Sequence, residues 1–248
     1  MPERQGHVQT ARGLTCPLIF ERGHLFATAG NGTFLLDTGA PVSFGSVSSV
    51  TLDGQRFTVA PTYLGLTKEV LSSHVGRDVD GLLGADILNQ FDTLIDVGHS
   101  RVLFSEGPVE FGGEELALDD FMGIPILTAT IAGDSVRMFF DTGAQISYFQ
   151  RSSLATFPLD EHVTDFYPGF GQFSTDTRRV SIQLGRTRVE LQCGQLPELL
   201  GMTLMMAGVD GIVGNEMLRT GCTGYFPRRR RLVFRNGTIQ SYDLTCHS

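Results

Sequence analysis

Two aspartates in this chain occur in the same setting, each opening an Asp-Thr-Gly-Ala motif after three apolar residues. Asp37 follows FLL, and Asp141 follows MFF 104 residues later. If the two carboxyl groups face each other they share a proton, because like charges at close range cannot both ionise comfortably. The charged member is then a general base for a water, and the protonated member hydrogen-bonds the carbonyl under attack. This pair predicts amide hydrolysis without a metal or a covalent intermediate.

The alternative for each motif is a simple turn, because Asp-Thr-Gly is good turn chemistry by itself. The recurrence of the motif, each time ahead of a Gly-hydrophobic-hydrophobic-Gly segment, favours the catalytic interpretation. In that interpretation the glycines let the two loops approach and present backbone amides to the carboxylates. The threonine hydroxyls hydrogen-bond to the opposite loop. The supporting residues are Thr38, Gly39, Ala40, Thr142, Gly143 and Ala144.

A second pair of segments repeats downstream of the first. VDGLLGADIL begins at Val79, and VDGIVGNEML begins at Val209. The chain is therefore predicted to contain two tandem copies of one unit, an N-terminal domain over residues 1–110 and a C-terminal domain over residues 111–248. The second copy has 26 more residues between its two motifs. The Gly- and acid-rich segment 105–120 is predicted to connect the copies.

Local signals predict an all-β fold. Short alternating or apolar runs such as ILTATI, VSIQL and VELQC are separated by Gly, Asp and Asn turn clusters. A hairpin is predicted around Asp53-Gly54. ADILNQF and NEMLR, each preceded by a glycine, are each predicted to form one short helix.

Composition disfavours several classes of partner. The 248 residues include 27 Asp and Glu against 19 Lys and Arg, and the net charge of −8 opposes binding to nucleic acid or an anionic membrane. The four arginines at 228–231 are accordingly interpreted as a solvated turn. No apolar stretch approaches the roughly 18 residues of a membrane span. The N-terminus lacks the apolar region of a signal peptide, so a cytoplasmic protein is predicted.

No metal or other cofactor is predicted. The cysteines at 16, 193, 222 and 246 have no C-x-x-C spacing, and the six histidines form no H-x-x-x-H pair. Reduced thiols are expected in a cytoplasmic protein. Cys193 alternates with apolar residues in VELQC, which is the pattern of a small buried hydrophobe. A disulfide is the alternative, although no spacing favours one pairing.

Together these motifs resemble those of the aspartic proteases, and more closely the retroviral-type (retropepsin) branch than pepsin. Asp-Thr-Gly-Ala is the retropepsin form, and the resemblance covers nearly the full length of both halves. It implies a bilobal fold with pseudo-two-fold symmetry and a cleft between the lobes. It also implies that Asp37 and Asp141 are the catalytic dyad and that Thr38 and Thr142 interlock. Retropepsins are homodimers of one unit, so this chain is expected to be a fused, monomeric version.

The Gly-x-x-Gly segments at 81–84 and 211–214 would then be the strands that cross beneath the dyad. Retroviral enzymes have an arginine after the second glycine, followed by Asn or Asp. This chain has Ala85-Asp86 and Asn215-Glu216 at these positions. The buttress that the arginine provides must therefore be built differently.

The flaps, the hairpins that close over bound peptide in this family, are a second departure. The first half has little room for a full flap between its motifs. The additional residues of the second half include the aromatic-rich segment 165–173 with a Pro-Gly tip. This predicts a single mobile flap from the C-terminal half, with an aromatic surface loop as the alternative.

Aromatic residues near the motifs are candidates for substrate binding. An extended peptide across the cleft would be held by main-chain hydrogen bonds, with hydrophobic residues flanking the cut. For Phe44 and Tyr148 a place in the aromatic core explains the pattern equally well. The candidates are Phe44, Tyr148, Tyr167, Gly169 and Phe170.

The sequence thus predicts an aspartic endopeptidase that acts on a protein or peptide. Ala40 and Ala144 offer no hydroxyl to the ionised dyad, so the pH optimum is expected to be less acidic than that of pepsin. Two alternatives stay open. One is an inactive peptide-binding or scaffold protein with the same fold, and the other is a protease that processes only itself or one partner.

Overall fold

The computed structural model describes residues 13–30, 32–219 and 221–236, and this part of the chain is predominantly β-stranded, as predicted. In chain order the first half forms β1 (Leu14–Glu21), β2 (His24–Ala29), β3 (Gly32–Leu36), β4 (Phe44–Gly45), β5 (Ser49–Leu52), β6 (Gln55–Thr58), α1 (Lys68–Val75), β7 (Gly81–Leu83), α2 (Ala85–Leu88), β8 (Asp92–Asp96), a 3-10 turn (Val97–His99) and β9 (Arg101–Ser105).

The second half forms β10 (Glu114–Phe121), β11 (Ile124–Ile131), β12 (Asp134–Phe140), β13 (Ser147–Phe149), a 3-10 turn (Ser152–Thr156), β14 (Leu159–Tyr167), β15 (Gly171–Leu184), β16 (Thr187–Gly194), α3 (Glu198–Met206), β17 (Gly211–Val213), a 3-10 turn (Asn215–Arg219), β18 (Gly221–Phe226), a 3-10 turn (Pro227–Arg229) and β19 (Arg231–Asn236).

The predicted short elements are present with small differences. The Asp53-Gly54 turn joins β5 to β6, and both residues have positive φ, 45° and 83°, as a two-residue hairpin turn requires. ADILNQF contains α2, whereas NEMLR forms a 3-10 turn. The sequence signals missed α1, which begins after Thr67, a residue whose side chain accepts the Val70 N–H, and ends at Gly76 in the left-handed conformation.

The same strand pairing occurs in both halves. In the first half β7 runs parallel to β3 and antiparallel to β4, with Leu82 beside Leu35. In the second half β17 runs parallel to β12 and antiparallel to β13, with Ile212 beside Phe139. Both β7 and β17 are buried throughout, as expected for strands with neighbours on each side. Each Gly-x-x-Gly segment therefore provides a central buried strand.

An antiparallel sheet joins the two halves, in the order β1-β9-β8-β18-β19-β10. Its central contact is the pairing of β8 with β18, where Thr93 lies beside Tyr225. β1 and β10 begin in this sheet and then continue into pairing with β2 and β11 of their own halves. The halves therefore share backbone hydrogen bonds as well as side-chain contacts.

Ion pairs reinforce this joining sheet. Arg228 and Arg229 both pair with Asp92 of β8, whose side chain is 1% exposed. Arg230 and Arg231 pair with acidic residues of β10. The predicted turn is present, but its arginines are partnered by acids rather than simply solvated.

Apolar side chains fill the space beneath both motifs. One cluster draws on both halves and includes the aromatic residues Phe91, Phe104, Phe140, Phe149 and Tyr225. Two further clusters surround the central strands β7 and β17. Ala40 belongs to the cluster around β7, and Ala144 packs against the cluster around β17, so each Asp-Thr-Gly-Ala motif contacts the core of its own half.

The additional residues of the second half extend one side of the sheet. β14 and β15 form a long hairpin whose turn is at 168–170, and β15 continues into pairing with β16. In the corresponding part of the first half, the chain forms the β5–β6 hairpin and a tight turn at 63–66.

The connection between the halves is 106–113, which is shorter than the predicted 105–120 because β10 already begins at Glu114. The predicted boundary at 110/111 lies within it.

None of the helices in the described ranges is long and apolar enough to cross a membrane.

Cys16, Cys193 and Cys222 are buried, in agreement with the interpretation of Cys193 as a core residue, and Cys246 lies outside the described residues. Burial raises the pKa of the Cys193 thiol and raises that of Cys222 to about 12. These two thiols are therefore protonated and unreactive at neutral pH.

Candidate active site

The two aspartates stand at the ends of equivalent buried strands. Asp37 follows β3, and its backbone N–H donates to the carbonyl of Leu83 at 3.0 Å. Asp141 follows β12, and its N–H donates to the carbonyl of Val213 at 3.0 Å. The parallel strand beside each motif therefore anchors the backbone of the aspartate itself.

Thr38 and Thr142 tie the two loops together. Each backbone N–H donates to the hydroxyl of the other threonine at 3.0 Å. The Thr38 hydroxyl donates to the carbonyl of Phe140 at 2.7 Å, and the Thr142 hydroxyl donates to that of Leu36 at 2.8 Å. Sequence reasoning anticipated hydroxyl bonds to the opposite loop, and the structure brings these two residues together in that arrangement.

Backbone amides orient both carboxyl groups. Oδ1 of Asp37 accepts the N–H groups of Gly39 and Ala40, both at 2.9 Å. Oδ1 of Asp141 accepts those of Gly143 at 2.8 Å and Ala144 at 3.1 Å. Each carboxyl group also lies against the glycine of the opposite loop, and the two are close enough for each to shift the pKa of the other.

Glycine is required next to each aspartate by the closeness of the loops. A Cβ atom at Gly39 would overlap the carboxyl group of Asp141, and one at Gly143 would overlap that of Asp37. Any side chain at these positions would push the two loops apart. The glycines thus permit the carboxyl groups to meet.

The surroundings raise the pKa of both aspartates. For Asp37, burial is the largest cause, followed by the charge of Asp141 and the hydrogen bond between them. For Asp141, burial also raises the pKa, and the hydrogen bonds from Gly143, Asp37 and Ala144 oppose it. Raised pKa values in two carboxyl groups this close favour a state in which the pair holds one proton in common.

A cavity of about 390 Å³ lies over the aspartates and is lined by both halves. Tyr63 and Tyr167 stand near the dyad, one from each half. Burial raises the pKa of Tyr167 most, and the charges of Asp141 and Asp37 raise it further. The pKa of Tyr63 is raised by burial and then by Asp37. Both phenols therefore stay protonated and are hydrogen-bond donors toward the cavity.

The predicted substrate-binding residues occupy different places. Tyr167 and Tyr148 line the cavity, and the Tyr148 hydroxyl donates to the carboxylate of Asp165. Phe44 also borders the cavity, but its side chain is fully buried, so it forms part of the floor. Gly169 and Phe170 lie at the hairpin turn and are not among the cavity-lining residues. Direct contact of any of the five with a substrate stays a prediction.

The hairpin β14–β15 reaches across to the first half. The ring of Phe166 stacks on His74 of α1, with ring centroids 3.6 Å apart and planes inclined by 19°. Leu64, in the tight turn of the first half, lies next to Gly169 at the tip. The hairpin therefore covers the cavity and touches the opposite wall.

Hydroxyl and amide side chains replace the arginine that the retropepsin pattern would place after each Gly-x-x-Gly segment. The Ser43 hydroxyl accepts the N–H of Gly84 at 2.8 Å and donates to Asp86 at 2.5 Å. In the second half the Asn215 amide donates to the carbonyl of Thr142 at 3.0 Å. Ser147, the equivalent of Ser43, likewise accepts the N–H of Gly214 at 3.1 Å. The two halves therefore share the serine contact and differ in the residue that follows the second glycine.

Sequence reasoning missed several residues that line the cavity. These are His24 and Gln145, which contact each other across the halves, together with Tyr63. Gln145 follows directly on Ala144, which was a usable signal. Tyr63 precedes Leu64 and Gly65, which both have positive φ in a turn. In the sequence a Leu-Gly pair is only a weak signal for a turn and does not indicate a binding site.

In the part of the chain that the structure describes, no group of three or more His, Cys, Asp or Glu residues has a geometry that could hold a metal ion. The chain matches no protein-family model, and no curated protein is significantly similar to it.

Proposed function

We propose that this protein is an aspartic endopeptidase with a bilobal, retropepsin-like fold and pseudo-two-fold symmetry. The observation that carries the proposal is the pair of carboxyl groups, Asp37 and Asp141, which line one cavity, each against the glycine of the opposite motif. The repeated strand pairing and the exchanged bonds of Thr38 and Thr142 support the symmetric arrangement. One chain supplies both aspartates, so the active species is a monomer.

The chemistry follows from the single shared proton. The charged carboxylate takes a proton from a water, whose oxygen bonds to the substrate carbonyl carbon while the protonated carboxyl gives its proton to the carbonyl oxygen. The tetrahedral diol then breaks its C–N bond as the nitrogen receives a proton from one carboxyl group, while one diol hydroxyl returns its proton to the other carboxylate. The products are a carboxylic acid and an amine, and the dyad returns to its one-proton state.

The hairpin β14–β15 acts as the lid. Its contacts with His74 and Leu64 of the first half enclose the cavity, and Tyr167 from the same hairpin lines it near both aspartates. The backbone of an extended peptide beneath the lid would form hydrogen bonds with the main chain of the protein. Its side chains would contact the apolar walls of the cavity around Leu82 and Ile212.

Incubation with an unstructured protein and a mixed peptide library, with and without pepstatin, tests the proposal. We expect cleavage that pepstatin blocks and that either Asp37→Asn or Asp141→Asn abolishes while the variants stay folded. An inactive binder would retain peptide after either substitution and cleave nothing. A self-processing protease would cut its own chain but leave the library intact. Cleavage that survives both substitutions would overturn the proposal.

A further inference from the structure

Asp165 places a carboxylate in the wall of the cavity. The residue belongs to β14, is half-buried and lines the cavity together with Tyr148 and Tyr167. Burial raises the pKa of Asp141 most, and the charge of Asp165 raises it further, so this carboxylate lies near the dyad. None of the described residues that line the cavity is a lysine or an arginine. The cavity therefore presents a negative charge beside the dyad without a permanent positive charge to match it.

The charge of Asp165 is not compensated within the described part of the chain. Asp176, the aspartate of β15, pairs with His162, whereas Asp165 has no ion-pair partner among the described residues. Its charge does act on His24, but burial lowers the pKa of that imidazole more than the charge raises it. His24 is therefore neutral at neutral pH, and the field around Asp165 favours a positively charged ligand.

Two hydrogen bonds fix the direction of the Asp165 carboxylate. The Tyr148 hydroxyl donates to Oδ2, and the backbone N–H of Phe166 donates to Oδ1 at 2.7 Å. Side chains alternate along a strand, so Asp165 shares its face of β14 with Val163 and Tyr167, which pack against the apolar cluster around β17. An ionised carboxyl group has about four acceptor positions, so both oxygens can still accept hydrogen bonds from a ligand.

Aromatic rings flank this carboxylate. Asp165 pairs with Phe173 across the hairpin, and the Phe173 ring lies 6.1 Å from that of Tyr148 and 6.2 Å from that of Phe170. Tyr148 and Phe173 both line the cavity. Aromatic faces attract cations, and a planar guanidinium stacks on a ring while it donates to a carboxylate. The position therefore suits a basic side chain, whose stem contacts the rings and whose charge meets Asp165.

Tyr148 distinguishes the second half from the first. It corresponds to Phe44, because each follows its aspartate by seven residues and each pairs with the central strand of its half. Phe44 is fully buried and has no hydroxyl to orient an acid. A subsite built on Tyr148 and Asp165 is therefore expected to select a residue on only one side of the scissile bond.

We propose that Asp165 is the specificity residue of a subsite that binds one basic side chain, arginine or lysine, of the substrate. The inference rests on the proposed function, because it takes the ligand to be a peptide in this cleft. The guanidinium or ammonium group donates hydrogen bonds to the carboxylate of Asp165, and its methylene groups contact the rings of Tyr148 and Phe173.

Binding of non-hydrolysable peptides tests this subsite. Peptides with a reduced scissile amide, identical except for Arg or its neutral analogue citrulline at one position, are scanned across both sides of that bond. We expect the wild-type chain to prefer Arg at one position by about tenfold, the value of one hydrogen bond between charged groups. Asp165→Asn should reduce that preference to below about twofold. Asp176→Asn, at an exposed position of the same hairpin, should retain it.

Cross-linking locates the basic side chain in the wild-type chain. The peptide with Lys at the preferred position is treated with a carbodiimide, which joins an amine to an adjacent carboxyl group as an amide. Mass spectrometry should find the junction at Asp165, and junctions only at other carboxyl groups would overturn the subsite. This measurement decides the result if thermal unfolding shows that Asp165→Asn does not fold.

Binding does not need turnover, so the two proposals fail separately. An Arg preference that Asp165→Asn removes, in a chain that hydrolyses nothing, keeps the subsite and removes the protease. Cleavage without a preference for a basic residue at any position, or a preference that Asp165→Asn retains, overturns the subsite. Failure to bind any peptide contradicts both proposals.

Discussion

Thr38 and Thr142 exchange hydrogen bonds across the junction of the two halves, each N–H donating to the hydroxyl of the other at 3.0 Å. Each hydroxyl also donates to a backbone carbonyl of the opposite half, Phe140 in one case and Leu36 in the other. Both side chains are buried, so no water competes for these groups. Four bonds therefore set the spacing of the two aspartates.

Removing one of these hydroxyls should destabilise the whole molecule. Thr38→Val leaves the N–H of Thr142 and the carbonyl of Phe140 buried without partners, at about 1–3 kcal/mol each. We expect the free energy of unfolding, measured in urea, to fall by about 2–5 kcal/mol. Thr38→Ser keeps the hydroxyl and should recover most of the loss. Thr28→Val, at an exposed site, is the matched control, and equal stability of the two valine variants would contradict the expectation.

The raised pKa of Asp37 predicts how stability depends on pH. Its folded-state pKa lies above the unfolded value, so its contribution to stability is complete below about pH 4 and is lost as the pH rises through the folded-state pKa. Asp37→Asn cannot ionise and should raise the melting temperature at pH 7 but have little effect at pH 4. Asp78→Asn, an exposed aspartate in α1's surface ion pair, is the control. Equal changes in melting temperature at pH 4 and pH 7 would show that ionisation of Asp37 does not lower the free energy of unfolding.

The same shifts predict the pH profile of hydrolysis. The proposed mechanism requires one proton on the pair, and the pKa of both aspartates is raised by burial. We therefore expect a bell-shaped dependence of the rate on pH with its optimum in the mildly acidic range. The reason is that a raised pKa keeps one proton on the pair at higher pH than two ordinary carboxyl groups would. The rate of cleavage of a library-derived peptide measures it. An optimum below about pH 3 is incompatible with this environment of the dyad.

Contact between the hairpin and α1 should control closure of the lid. Phe166→Ala removes the ring that stacks on His74, a contact of about 0.5–1.5 kcal/mol, so peptide inhibitors should bind about 2–10-fold more weakly. Limited proteolysis near Gly169 should become faster. His162→Ala, an exposed position on β14 of the same hairpin, should change neither measurement. Cleavage near Gly169 that persists with a tight peptide inhibitor bound would contradict the lid.

The buried acid in the joining sheet should be essential for stability. Asp92→Asn leaves Arg228 and Arg229 without their shared partner, and breaking a buried ion pair costs about 3–5 kcal/mol. Urea unfolding measures this loss. Glu110→Gln, which removes an exposed partner of Arg229, should cost less than about 1 kcal/mol. Similar losses for the two variants would mean that burial of Asp92 has no consequence.

Much of the local structure was predictable because it depends on short segments. An apolar triplet followed by Asp-Thr-Gly-Ala predicts a buried strand that ends in a tight loop with a carboxylate, and Asp53-Gly54 predicts a two-residue hairpin. The recurrence of the motifs predicted that the strand pattern would be repeated. Residues 196–206 show the limit, because their largely apolar run LPELLGMTLMM does not distinguish the helix α3 from a core strand or a pocket wall.

The sequence by itself determined which residue types could do chemistry, namely two carboxylates with the glycines and threonines that let them approach. Only the tertiary structure decided which distant side chains meet. His24 and Gln145 are 121 residues apart, and Phe166 meets His74 through the bend of a long hairpin. Such contacts depend on the combined twist, length and packing of many strands, whereas a motif depends on its immediate neighbours. The pairing of the two aspartates was therefore predictable from the sequence, and the walls of the cavity were not.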